Sequence, residues 1–232
     1  MKQSPPIREI SKKLETEYRG VSLALHFENP LQLLIATILA AQCTDERVNE
    51  VTQRLFQKYP TAESFANADP AELEGDIRPT GFFRNKARAV IGSCRKIVDS
   101  FGGQVPARLE DLMNLPGVGR KTANILLGNA FDQQAIAVDT HVFRVSHRLG
   151  LAPSSDPDQV EEELTRLIPK QNWTQATHWL GWHGRKICQA KKPLCTVCIL
   201  YDLCPWEGKP VEAGKDFRAR KGSKERAAVR SE

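Results

Sequence analysis

The sequence has no long apolar segment. In its 232 residues, no run approaches the roughly 20 apolar residues that a membrane helix needs. The longest apolar stretch, Leu31 to Ala41, is interrupted by Gln32 and Thr37. The first residues, MKQSPPIREISKK, also lack the apolar core of a signal peptide. We therefore predict a cytoplasmic protein without membrane attachment.

The sequence also lacks the alternating pattern of β-strands, an internal repeat and a large excess of positive charge. The formal net charge is +5, but residues 207–232 hold eight Lys/Arg against five Asp/Glu, so the rest of the chain carries only +2. A weakly basic body permits a polyanionic partner without requiring one. We expect residues 207–232 to be a basic, disordered tail, either merely solvated or adding a salt-sensitive contact with a polyanion.

Helical periods account for most of the chain. Pro30 to Ala41 is apolar on most faces and predicts a buried helix, and Phe82 begins a long helix that Gly102-Gly103 ends. These patterns predict an all-α fold of about ten helices joined by short links. The predicted N-caps include Asn29, Thr44 and Asp69.

The segment Leu115-Pro-Gly-Val-Gly-Arg-Lys-Thr-Ala123 is the most informative in the sequence. Pro116 ends one helix, Gly117 and Gly119 permit a tight turn, and the next helix begins at once. Exposed amides at the start of a helix bind anions such as the phosphates of DNA, a contact that is independent of base sequence. An ordinary turn between two helices explains the same residues equally well.

Lys121 occupies the first turn of the second helix. The positive end of the helix and burial would both favour its free amine. A neutral amine can attack an electrophilic sugar carbon and form a Schiff base; a surface lysine that contacts phosphate is the alternative interpretation. Asp139 follows an apolar run, Ala135 to Val138. It is either a helix N-cap or a carboxylate that stabilises positive charge or moves protons.

Four of the six cysteines share one short stretch with the spacing Cys-x6-Cys-x2-Cys-x5-Cys: Cys188, Cys195, Cys198 and Cys204. In a reducing compartment this cluster indicates metal ligation rather than disulfides. Four thiolates could hold zinc or a [4Fe–4S] cluster, and their chemistry alone does not choose between the two. Lys191 and Lys192 lie between the first two cysteines, where they could contact a phosphate backbone or form a solvated stretch.

These motifs together carry a family resemblance. LPGVGRKTAN followed by AVDTHVFRV resembles the helix–hairpin–helix DNA glycosylases of the endonuclease III family, and the similarity extends from Leu14 to Trp206. The resemblance implies that Lys121 is the Schiff-base nucleophile, that Asp139 is the essential carboxylate and that the four cysteines hold a [4Fe–4S] cluster. It also implies a bifunctional DNA glycosylase/AP lyase that removes oxidised pyrimidines and nicks the strand by β-elimination.

The resemblance further implies how the duplex is opened, because the target base must be flipped out and its place filled. Gln42 matches the family's wedge glutamine, and Asp45 matches a carboxylate of the base pocket. Phe82 stands where the family often has an aliphatic wedge. Its ring could stack in the gap or pack in the core. His141 either contacts phosphate or only supports the site, and Met113 departs from an acidic residue common in close relatives.

The predicted architecture has two helical lobes. Residues 23–132 form a helical barrel with the hairpin, and residues 1–22 plus 133–206 form a discontinuous lobe that carries the iron–sulfur cluster. Double-stranded DNA would lie in the groove between the lobes, with Lys121 and Asp139 on opposite walls. We expect a monomer that associates with the nucleoid through DNA.

Two alternatives fit these motifs less well. The adenine-mismatch glycosylases resemble this chain but hydrolyse the base without a lyase step, typically lack lysine at position 121, and carry a catalytic Glu where Thr37 aligns. A helix–hairpin–helix module that only binds DNA would need neither Lys121 nor Asp139.

Overall fold

The computed structural model describes residues 6–210, so most of the tail predicted at 207–232 lies outside the described residues. Within 6–210 the fold is all-α, as predicted, and contains no β-strand. No helix in this part of the chain combines the length and apolar character that crossing a membrane requires. Eleven α-helices, α1 to α11, span Ile7–Glu17, Pro30–Leu39, Asp45–Lys58, Ala62–Ala66, Pro70–Ile77, Phe83–Phe101, Leu109–Met113, Arg120–Ala130, Thr140–Arg148, Pro157–Leu167 and Trp173–Lys186.

Short-range capping fixes where many of these helices begin. The predicted caps Asn29, Thr44 and Asp69 are confirmed, and each side chain accepts a hydrogen bond from the backbone N–H three residues later. Helix α4 is absent from the prediction. It is only five residues long and is held by a reciprocal capping box between Thr61 and Ser64.

The described chain divides into two compact units. Residues 23–137 form one, which we call the inserted unit, and residues 6–22 with 138–210 form the other, the cysteine unit. The second boundary lies at 137/138 rather than at the predicted 132/133. The reason is that the buried amide of Asn124, in α8, donates a hydrogen bond to Ile136 O at 2.9 Å and holds this segment in the inserted unit.

The core of the inserted unit is built around α2. Leu33, Leu34, Ile35 and Leu39 are fully buried, so this helix is covered on every side, as its apolar sequence predicts. Burying each such side chain contributes about 1.5–3 kcal/mol. Helix α2 contacts α3, α6 and α8, and thereby fixes the elements that carry the hairpin and its neighbouring loops.

In the cysteine unit the N-terminal helix α1 packs on the C-terminal helix α11 through the buried side chains of Ile10 and Leu14. Helix α9 also lies against α11, and the approach is very close at Gly184. A Cβ atom at that glycine would lie 2.8 Å from His141 Cβ. Only glycine therefore fits at this crossing without displacing α9.

Candidate active site and cysteine centre

The hairpin between α7 and α8 is held tightly against α6. Gly117 has φ +78°, a conformation that favours glycine, and a Cβ atom there would lie 2.8 Å from Ala89 Cβ. Ser93 Oγ donates a hydrogen bond to Pro116 O at 2.6 Å. Gly119 differs, because its φ is −92° and no atom lies within 4 Å of a Cβ built there. The turn therefore requires glycine at 117 but not at 119.

Lys121 is the second residue of α8, which begins after Gly119 without a side-chain cap. Its side chain is exposed. The burial expected for this side chain from the sequence is therefore not found in the free protein. Lys121 lies in the first turn, as predicted, and its position follows from the way α6 holds the preceding turn.

Asp139 is the N-cap of α9. Its Oδ1 accepts hydrogen bonds from the backbone N–H groups of His141 at 2.9 Å and Val142 at 2.7 Å. The capping interpretation of the sequence is thus confirmed, and it is compatible with a second role. Both bonds end on one carboxylate oxygen and fix the orientation of the partly buried group. Lys121 belongs to the inserted unit and Asp139 to the cysteine unit.

The four clustered cysteines line one apolar pocket of the cysteine unit, together with Val145, Leu149 and Ile187. All four are free, partly buried thiols. Burial raises the pKa of Cys198 to about 12 and moves the pKa values of Cys195 and Cys204 in the same direction. Cysteine binds metals as the thiolate, so a metal centre held here would have to offset this effect of burial.

Hydrogen-bond donors surround these sulfur atoms. Arg148 Nη1 lies 3.3 Å from Cys188 Sγ, and Leu200 N lies 3.4 Å from Cys198 Sγ. His183 Nε2 lies 3.5 Å from Cys198 Sγ, while its Nδ1 lies 3.0 Å from Tyr18 Oη. Burial lowers the pKa of His183 to about 4, so its ring is neutral near pH 7. A tautomer that accepts from Tyr18 and donates to Cys198 satisfies both contacts.

The spacing of these thiols bears on which metal centre they fit. Within residues 6–210, no group of three or more Cys, His, Asp or Glu side chains is close enough to hold a single metal ion. A tetrahedral zinc with Zn–S near 2.3 Å would draw its sulfur ligands to about 4 Å from one another. Four free thiols that line one pocket fit a centre held by cysteine thiolates.

Two loops of the inserted unit carry the predicted wedge residues. Gln42, between α2 and α3, is exposed and has φ 54°. Phe82, at the N-cap of α6, has φ 47°, and its side chain is 62% exposed. The ring of Phe82 therefore does not pack in the core, whereas its neighbour Phe83 packs against the core residues. Asp45 is the first residue of α3 and is partly buried.

The remaining predicted contacts lie in the cysteine unit. Lys191 and Lys192 are exposed in the loop between the first two cysteines. His141 is partly buried on α9, and its Nδ1 lies 3.2 Å from Arg144 Nη2. Burial is the main cause that lowers the pKa of His141. Lys209 donates a hydrogen bond to Tyr201 O at 2.8 Å, so residues 207–210 lie against the segment that carries the four cysteines, residues 188–204, which we call the cysteine loop, instead of starting the tail.

Sequence reasoning missed two polar side chains that organise these elements. Asn124 ends the LPGVGRKTAN motif and ties α8 to the segment that leads toward Asp139. Lys86, on α6, is buried and donates to the backbone carbonyls of Leu39, which ends α2, and of Thr80. Its signal was present in the sequence, because Lys86 falls on the same helix face as the buried Val90, Cys94 and Ile97.

Comparison with known proteins identifies the family. The HhH-GPD superfamily of base excision DNA repair proteins matches residues 35–170. Endonuclease III of Synechocystis sp. is 52% identical over 198 residues, covering 85% of this chain and 90% of that protein. Endonuclease III of Escherichia coli strain K12 is 41% identical over 201 residues, covering 87% and 95%.

Solved structures agree with these relatives. The structure of a trapped endonuclease III–DNA covalent intermediate is 44% identical, with a TM-score of 0.83, and the match covers 86% of this chain and 94% of that one. A non-covalent endonuclease III–DNA complex is 43% identical, also with a TM-score of 0.83, over 91% and 97%. The chain therefore belongs to the HhH-GPD superfamily of base excision DNA repair proteins and, within it, to the endonuclease III family.

Proposed function

We propose that this protein excises oxidised pyrimidines from double-stranded DNA, with Lys121 as the nucleophile and Asp139 as its carboxylate partner. Membership of the endonuclease III family makes the chain a base excision repair enzyme, a DNA glycosylase and AP lyase. The observation that carries the residue assignment is the position of Lys121, exposed in the first turn of α8 directly after a turn that α6 holds in place.

The proposed reaction begins when the Lys121 amine attacks C1′ of the damaged nucleoside. The C1′–N bond breaks and the base leaves with the bonding electrons, taking up a proton. Ring opening gives a Schiff base between Nζ and C1′, and loss of a C2′ proton expels the 3′ phosphate by β-elimination. Since Lys121 is exposed in the protein, its amine is accessible to the sugar of bound DNA.

Asp139 is suited to assist this step. Positive charge develops on the sugar as the base departs, and a fixed carboxylate stabilises that charge or receives a proton from it. The two amide bonds to Oδ1 hold the group in one orientation. Because the orientation is set by the start of α9, the carboxylate needs no rearrangement when the substrate arrives.

We propose a [4Fe–4S] cluster held by Cys188, Cys195, Cys198 and Cys204. The cluster would supply a rigid, covalently anchored centre for a loop of little regular structure. Around it, Arg148 donates to Gln189 O at 2.8 Å and to Ala190 O at 3.0 Å, which fixes the loop that presents Lys191 and Lys192. Those exposed lysines would bind the DNA backbone electrostatically.

Opening of the duplex is assigned to the two exposed loops. Gln42 and Phe82 would fill the space left by the flipped base, and Asp45 would contribute to the base pocket. Gly117, Gly119 and His141 would contact the phosphates around the lesion. We propose that the enzyme acts as a monomer on DNA in a bacterial-type cytoplasm.

Hydrolytic excision is the rival within the superfamily. It needs a carboxylate or another activator of water, and the aligned position on α2 carries Thr37. That side chain is buried, and its hydroxyl donates to Leu34 O at 2.8 Å, which is ordinary helix back-bonding. Nothing at this position favours the hydrolytic reaction.

Borohydride trapping tests the proposal. Cluster-loaded protein is incubated with duplexes that carry an oxidised pyrimidine or an abasic site, and the covalent protein–DNA adduct is quantified after reduction. We expect an adduct with the wild type, none with Lys121→Ala, and an unchanged yield with Lys12→Ala, which removes an exposed lysine of α1. Wild-type protein that binds the duplex but forms no adduct would exclude Schiff-base chemistry and favour hydrolysis or simple binding.

A further inference from the structure

The two proposed wedge residues share an uncommon backbone conformation. Within residues 6–210, the non-glycine residues with positive φ are Gln42, Phe82 and Asp132. L side chains adopt this region rarely, and they keep it only where the surrounding structure enforces it. Gln42 and Phe82 are both exposed, so their own side chains do not provide that enforcement. The contacts that hold this conformation come from other groups near the two loops.

Lys86 contacts the backbone just before each of the two wedge residues. Its Nζ donates to Leu39 O at 2.7 Å, three residues before Gln42, and to Thr80 O at 2.7 Å, two residues before Phe82. The backbone N–H of Lys86 donates in addition to Phe82 O at 3.1 Å. That backbone bond is the ordinary first bond of α6, whereas the side chain joins the segment before the wedge at 82 to the end of the helix before the wedge at 42.

The chemistry of these contacts explains why a lysine occupies a buried position. Leu39 ends α2, where the last carbonyl groups lack partners within the helix and carry partial negative charge. An ammonium group can donate to several carbonyls at once. Its side chain is only 5% exposed, and burial lowers the pKa of Lys86. An apolar residue of the same length would avoid this desolvation but would leave both carbonyls unpaired.

We propose that Lys86 is a positioning residue that couples the two wedge loops, so that Gln42 and Phe82 meet the duplex as one preformed unit. This inference rests on the proposed function and assigns a further residue to it. Base flipping requires unstacking before any chemistry occurs. A preformed pair of wedges offsets that cost because neither loop has to be ordered during binding.

The coupling predicts a selective defect. Lys86→Met keeps the length of the side chain and removes its donors. We expect single-turnover excision of thymine glycol from a fully paired duplex to fall at least about tenfold, equivalent to about 1.4 kcal/mol. Cleavage at a preformed abasic site in the same duplex should fall less than about threefold, because no base has to be unstacked there. Lys86→Arg, which restores donors, should recover most of the excision rate.

Lys96→Met is the matched control, because Lys96 also lies on α6 and donates to a backbone carbonyl, Asn114 O, at 2.9 Å. It should leave the ratio of excision to abasic cleavage unchanged. A parallel fall of both activities in Lys86→Met, tracking its folded fraction, would reduce Lys86 to a structural role and overturn the proposal. An unchanged ratio in a fully folded variant would do the same.

Two safeguards keep the test decisive. If Lys86→Met melts below the assay temperature, Lys86→Gln, which retains a donor for one carbonyl, is measured by the same ratio. The wild type reports separately on the proposed function, since absence of abasic cleavage and of trapping in the wild type would refute the lyase assignment itself. A wild type that cleaves, with no selective loss in the variant, refutes only the coupling by Lys86.

Discussion

The hairpin offers a matched pair of substitutions at Gly117 and Gly119, two glycines separated by a single residue. A side chain at Gly117 must adopt φ near +78° and place its Cβ 2.8 Å from Ala89 Cβ. The backbone strain costs about 1–2 kcal/mol, and forcing an extra carbon into a packed contact costs about 1–3 kcal/mol. Gly117→Ser should therefore lower the free energy of unfolding by about 2–5 kcal/mol.

The same substitution at Gly119 should be harmless to stability. This residue has φ −92°, and a Cβ atom built on it would meet open space. It is the N-cap of α8 but has no side chain that could accept a hydrogen bond from the first turn. Serine is a favoured N-cap residue and restricts the unfolded chain, so Gly119→Ser should raise stability by up to about 1 kcal/mol. Any weakening of DNA binding by this variant is a separate effect, since it does not contribute to thermal unfolding of the free protein.

Thermal melts of the cluster-loaded proteins measure the difference. A loss of 2–5 kcal/mol in a chain of this size corresponds to a Tm lower by roughly 5–15 °C for Gly117→Ser, whereas Gly119→Ser should melt at or slightly above the wild-type Tm. The displaced turn should also misplace Lys121 and slow adduct formation by about 100-fold. If the two variants melt within about 2 °C of each other, the close contact between the hairpin and α6 does not contribute to stability in the way predicted.

Three further predictions concern the other proposed site residues. Asp139→Asn keeps an N-cap side chain but removes the negative charge, so the Tm should stay within a few degrees while single-turnover excision falls about 100-fold or more. If excision falls only in proportion to the loss of folded protein, Asp139 acts through helix capping alone. Cys198→Ala should abolish the visible absorbance and iron content of the protein, whereas Cys43→Ala, outside the cysteine loop, should retain both. Replacing Lys191 and Lys192 together by Ala should reduce the slope of log K for DNA against log salt by about 1.8, and an unchanged slope would remove them from the interface.

Local signals were read correctly from the sequence because they depend on neighbouring residues. Asn29 and Thr44 cap their helices through bonds to amides three residues away, and the apolar character of α2 alone predicts its burial. Asp139 shows the limit of such reasoning. Its capping role is local and was one of two interpretations, while a catalytic role depends on what approaches it from outside the helix.

Features that depend on distant backbone were not predictable in the same way. Lys86 interrupts an apolar face in the sequence, and only the fold shows that Leu39 O and Thr80 O converge on its amine. The exposure of Lys121 was missed because the position of a residue in a helix turn does not say which elements cover it. Helix α4 was missed since five residues are too few to establish a period.

The order of the two units along the chain has a consequence for biosynthesis. The inserted unit is contiguous, so its residues emerge from the ribosome together and can fold while synthesis continues. The cysteine unit cannot fold at that stage, because the contact between Tyr18 and His183 forms only after 165 further residues have been made. Its first helix must wait for α11, and the four cysteines follow later still. Insertion of the proposed cluster should therefore be one of the last steps of maturation, completed after the inserted unit has had time to fold.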